Sequence, residues 1–109
     1  MSAKPAAAAD ISALLADLWQ RHLPAMRERL ALLDRTALLA ASGRLDETSR
    51  AEAQSVAHKL AGNLGMFGYG DAGTVASKIE EILKAPTSLT LLHLASLARE
   101  LRGILAPHL

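Results

Sequence analysis

Apolar side chains recur along this chain at alternating intervals of three and four, the spacing of one face of a helix. Ala53, Ala57, Leu60, Leu64 and Phe67 form the central seam. Upstream, Leu23, Met26, Leu30, Leu33, Ala37 and Ala40 form a second, with Arg27, Glu28, Arg29, Asp34 and Arg35 mostly outside it. Downstream come Ala72, Val75, Ala76, Ile79, Ile82 and Leu83, and then Leu91, Leu94, Ala98, Leu101 and Leu105, widened by Leu97 and Ile104. Four such stripes predict four amphipathic helices that bury their seams against one another.

The residues between the stripes supply stop and start signals. Gly43 closes the long second-stripe helix, and Asp46 caps the central one, with Glu47 at the positive end of its dipole. That helix is expected to run to about Phe67. Gly68-Tyr69-Gly70 makes the next turn, Asp71 caps the third helix, Pro86 stops it, and Thr87 or Ser88 starts the last. Ahead of these, Asp10 can cap a short helix carrying Leu14, Leu15, Leu18 and Trp19, which Pro24 ends or kinks. Met1–Ala9 has four successive alanines and no periodic apolar face, and reads as a mobile lead-in. The expectation is an all-α, antiparallel up-down four-helix bundle with a short extra N-terminal helix: residues 1–9 a mobile segment, 10–109 one domain.

Composition narrows the function classes. Of 109 residues, 50% are hydrophobic but only 3% aromatic, with 21 leucines against two valines, which favours helices over sheet. A net charge of +1 gives no sign of a nucleic-acid or membrane-binding surface. The absence of cysteine excludes disulfides, thiolate metal sites and Cys nucleophiles. No apolar run approaches a bilayer span and no signal-peptide stretch opens the chain, so the expected location is cytoplasmic.

The candidate chemistry lies on a second stripe of the central helix. Gln54, His58, Ala61, Gly62 and Gly65 fall at helical spacing, rotated by roughly 120° from the core seam at 100° per residue. Glycine in a helix costs about 1 kcal/mol relative to alanine, so two of them beside a histidine need a reason. Either another helix packs closely on them, or they clear a patch where a partner reaches His58.

Other chemistries fit poorly. Gly68, Gly70 and Gly73 spell G-x-G-x-x-G, but a helix precedes them rather than a strand, and Asp71 would repel a phosphate. The residues three before His22, His58, His93 and His108 are Trp19, Ser55, Thr90 and Leu105, none acidic, so the Glu-x-x-His pairs of a di-metal bundle are missing. There is no G-x-S-x-G nucleophile elbow. The imidazole of His58 is left as the reacting group: a neutral ring nitrogen can attack an electrophilic phosphoryl group, and the phosphoramidate can pass it on. Gln54 can orient the ring, and Lys59, rotated about 100° from His58, can support phosphoryl oxygens.

Ala57-His58-Lys59-Leu60-Ala61-Gly62, followed by Leu64-Gly65, Phe67-Gly68 and the helix leading to Ile79-Glu80, resembles the signature of histidine-containing phosphotransfer (HPt) domains. The resemblance implies that His58 accepts a phosphoryl group from a receiver-domain phosphoaspartate and passes it to another, as a carrier in a multistep two-component phosphorelay and not as an enzyme. It makes Ala61, Gly62, Gly65 and Met66 the docking face, Lys59 the phosphoryl-stabilising candidate and Glu80 a neighbour of open role. Many members place a lysine where Ala61 stands. The implied partners are response-regulator receiver domains and a hybrid histidine kinase. No cofactor is intrinsic to the chain, Mg²⁺ sits on the receiver, and the protein is expected to be a monomer. A receiver-docking module that carries no phosphate, or a purely structural bundle, fits the same residues.

Overall fold

The structure, a computed structural model, describes residues 3–109. Helix α1 spans Ala3–Ala41, α2 Glu47–Met66, α3 Gly70–Lys84, α4 Ser88–Leu91 and α5 Leu94–Leu105, followed by a 3₁₀ turn at Ala106–His108. α1, α2, α3 and α5 pack in a ring, each on the next, with α5 returning to α1. This is the all-α bundle that the four stripes predict. Met26, Leu30, Leu60, Leu64, Leu83, Leu101 and Leu105 are its largest fully buried side chains. Arg102 on α5 pairs with Asp34 on α1, and Arg27 on α1 donates to the carbonyl of Leu109, past the 3₁₀ turn, so polar contacts tie α1 to α5 and to the residue after the turn outside the core. No helix among the described residues is long and apolar enough to cross a membrane.

Two helix ends follow one rule. At Gly43, φ is +68°, the Gly43 amide donates to the Ala40 carbonyl at 3.2 Å, and the Arg44 amide donates to Leu39 at 2.8 Å. At Gly68, φ is +88°, with Gly68 donating to Gly65 at 3.1 Å and Tyr69 to Leu64 at 2.8 Å. Both are the paired hydrogen bonds of a left-handed C-terminal cap, which glycine enters without the steric cost of a Cβ. The second throws Tyr69 back over the bundle end. There Trp19 meets Phe67 and Tyr69 edge-on at centroid distances of 5.2 and 4.8 Å, and its indole N–H donates to the His108 carbonyl at 2.8 Å.

The structure corrects the expected N-terminus. The extra helix and the first bundle helix are one, and α1 passes through Pro24. A proline inside a helix removes a backbone bond and costs about 3 kcal/mol. Trp19 and Leu23 before it and Met26 and Leu30 after it are all buried, and that shared face offsets the cost. Of the Met1–Ala9 segment, Met1 and Ser2 lie outside the described residues, while Ala3–Ala9 continues α1 instead of preceding a cap at Asp10. At 39 residues, α1 outruns the 20-residue α2, and its first turns carry Ile11 and Leu14 exposed.

Two further expectations shift. Asp71 is inside the first turn of α3; the N-cap is Tyr69, with no side-chain hydrogen bond. The last helix is broken in two. Thr87 and Thr90 form a reciprocal capping box that starts α4, but the Leu92 and His93 amides then bond three residues back, to Leu89 and Thr90. That tighter turn ends α4, and α5 restarts at Leu94, which is buried.

Candidate functional site

α2 sets the site by presenting different faces to different neighbours. Asp46 caps it: the Ser49 amide donates to Asp46 Oδ1 at 2.7 Å, and this bond holds the Asp46 carboxyl below the usual aspartate range. Ala53, Ala57, Leu60 and Leu64 fill the core. One turn above the cap, Arg50 binds both oxygens of Glu47 at 2.6 and 2.8 Å, the Gln54 side-chain oxygen at 2.7 Å and the Leu83 carbonyl at 2.6 Å. It thereby satisfies an orphan carbonyl at the end of α3 and fixes the two helices in register.

Gln54 is therefore occupied by Arg50. The contact to the histidine comes from the neighbouring helix instead: His58 Nδ1 lies 2.9 Å from Glu80 Oε2. A carboxylate only accepts, so Nδ1 carries the hydrogen, and in the neutral ring the lone pair sits on Nε2. The two partners differ sharply in exposure. The Glu80 side chain is 15% exposed and the His58 side chain 74%, so a largely covered carboxylate orients a ring that stands in solvent.

The two glycines of the stripe have no internal neighbour. A Cβ placed on Gly62 or Gly65 would meet nothing within 4 Å, so neither serves helix packing. Gly62, Gly65 and Met66 are exposed, and Lys59 is exposed beside them. Ala61 is half-buried at the α2–α3 seam, at the edge of this patch. The glycine that does permit close packing is Gly73 on α3, where a Cβ would stand 3.2 Å from the Ala61 carbonyl oxygen. In the sequence it is hidden as the last glycine of a turn-like run.

Between α2 and α3 an open cleft of about 460 Å³ is lined by Ala51, Gln54, Ser55, His58, Glu80 and Lys84. Sequence reasoning did not single out Ser55 or Lys84. The signal for Lys84 was its spacing, four residues after Glu80 and so on the same face of α3. His22, His93 and His108 are exposed elsewhere, His22 edge-on to Phe67 and His108 tilted against Tyr69.

The fold and this site define a helical bundle that displays one oriented histidine on a cleared surface. The family model for the Hpt domain matches residues 10–106, and the chain belongs to the Hpt domain family. Hpt domains are phosphocarrier modules that work with receiver domains and kinases in phosphorelays. No curated protein and no solved structure gives a significant match to the chain.

Proposed function

We propose that this protein is a phosphorelay intermediate that carries a phosphoryl group on His58 between receiver-domain aspartates. The observation that carries the reading is the His58–Glu80 pair: a ring held at Nδ1 by a covered carboxylate, otherwise exposed, beside glycines that no internal contact requires. Nε2 attacks the phosphorus of the receiver's aspartyl phosphate. The P–O bond breaks, its electron pair goes to the aspartate carboxylate, and an N–P bond forms at Nε2. Nδ1 keeps its proton throughout, so the product is an imidazolium whose charge Glu80 balances. No base has to remove a proton, and the return transfer retraces the path with the electron pair going back to Nε2.

In this reading the chain contributes a positioned nucleophile and a docking face of Gly62, Gly65 and Met66 edged by Ala61, and is not itself an enzyme. The acidic pocket and its Mg²⁺ belong to the receiver. A hybrid histidine kinase stands upstream, and the protein acts as a monomer without a cofactor of its own.

The test is transfer from a prephosphorylated receiver domain, read by intact mass before and after acid, with His58→Gln in parallel. One acid-labile phosphoryl group on the native chain and none on the variant is the expected result. Binding without transfer across a broad receiver panel would overturn the carrier reading in favour of a docking module.

A further inference from the structure

We infer that Lys84, at the C-terminal end of α3, is the cation that supports the phosphoryl group on His58, in preference to Lys59, the neighbour in sequence. The inference rests on the carrier reading above and deepens it. Phosphorylation brings about 1.5 to 2 negative charges into a cleft that already holds Glu80. That carboxylate is fixed to the ring, so a positive group must come from elsewhere in the cleft to offset the repulsion.

The cleft offers few choices. Its lining comes from α2 and α3 alone, and Lys84 is the one lysine or arginine in it. Arg50 lies nearby but is held by Glu47, Gln54 and the Leu83 carbonyl, with its side chain 20% exposed; releasing it would unpair a helix end. Lys59 is on α2 a further 100° around the helix from His58 and is not part of the lining.

Lys84 is available. Its partner is Glu81, at 3.7 Å, with the two side chains 55% and 71% exposed. Such exposed pairs hold weakly and exchange freely. The four-carbon stem lets the ammonium swing from Glu81 to a phosphoryl oxygen while Cα stays in place. Glu80 and Lys84, one turn apart on one face, then divide the work: the carboxylate balances the imidazolium, and the ammonium balances the phosphoryl oxygens. Ser55, on the α2 wall with His58, adds a hydroxyl donor within the cleft. The bonds that break and form at phosphorus, Nε2 and the aspartate are unchanged; Lys84 lowers the charge cost of the product and gains or loses no proton.

The experiment compares the native chain with Lys84→Gln, Lys84→Arg and Lys59→Gln, using two donors: a phosphorylated receiver and phosphoramidate, a small donor that needs no docking. Lys84→Gln should slow phosphorylation of His58 about tenfold with both donors, the scale of one charge-assisted hydrogen bond. Lys84→Arg should recover most of the rate, and Lys59→Gln should stay within about twofold of native, because its charge is screened by solvent. The melting temperature of each variant should match the native chain, since Lys84 is exposed. A Lys84→Gln rate equal to native, with His58→Gln inert, would overturn the inference and leave the carrier reading intact. A defect seen with the receiver but absent with phosphoramidate would reassign Lys84 to docking and also overturn it. If the native chain accepts phosphate from neither donor, the carrier reading fails and this inference with it.

Discussion

Gly62 and Gly73 face opposite circumstances on either side of the α2–α3 pair. At Gly73 the absence of a side chain is used inside the molecule, because a Cβ there would press on a backbone carbonyl of α2 at 3.2 Å. At Gly62, and at Gly65 one turn on, the space stays empty. A helical glycine with no inner neighbour lowers helix stability without helping the fold, and the docking role proposed above would supply its benefit from outside the chain. The same residue type thus serves close packing at one position and leaves open surface at the other.

The strongest way to break this distinction is at the seam. Gly73→Leu should destabilise the fold by about 1–3 kcal/mol, because the obstructing atoms are backbone and cannot rotate aside. Chemical denaturation measures it, and a neutral result would mean that α2 and α3 are not in close contact there. On the open surface the sign should reverse. Gly62→Ala should stabilise by about 0.5–1 kcal/mol, whereas the bulkier Gly62→Gln should slow transfer from a receiver about tenfold, a docking loss of about 1.4 kcal/mol. Normal transfer by Gly62→Gln would remove the case for a cleared surface.

The smallest expected effect is local and depends on pH. Asp46 is held below its ordinary range by the Ser49 amide, and Glu47 by the hydrogen bonds from Arg50. Carboxyls lowered in the folded state contribute stability above their unfolded values, near pH 4, and lose it as pH falls through the lowered folded values. Hydrogen exchange should therefore show the Ser49 and Arg50 amides losing protection in acid before those of Ala57 and Leu60. Simultaneous loss along α2 would mean that its cap and its core seam open as one unit.

Much of the fold was legible because its signals are local. The Asp46 cap, the Gly43 and Gly68 turns and the seam from Ala53 to Leu64 each depend on residues within one or two turns, and all lie where the pattern predicts. Pro24 does not end the helix, because its local cost is outweighed by burial of Trp19, Leu23, Met26 and Leu30 in the core, which periodicity alone does not weigh. The break at Leu92 and His93 was missed for the reverse reason: the apolar spacing runs smoothly across it, and only the hydrogen-bond pattern shows it.

For the site, the stripe through His58, Gly62 and Gly65 could be read along one helix. The position of Glu80 beside the ring could not, since it depends on the α2–α3 register that Arg50 and Gly73 set. Gln54, at a suitable spacing from His58 on α2, is instead held by Arg50, four residues before it on the same helix.

Trp19 is the chain's one tryptophan, and it is 4% exposed at the end where α1, the α2–α3 turn and the C-terminal residues meet. Phe67, its aromatic neighbour, lies nine positions after His58, or about 13 Å of helix rise. The molecule thus contains its own fluorophore, placed where opening of the bundle changes its surroundings and away from the chemistry. Its emission can follow folding in every variant above without a dye and without mistaking a change of phosphorylation for a change of structure.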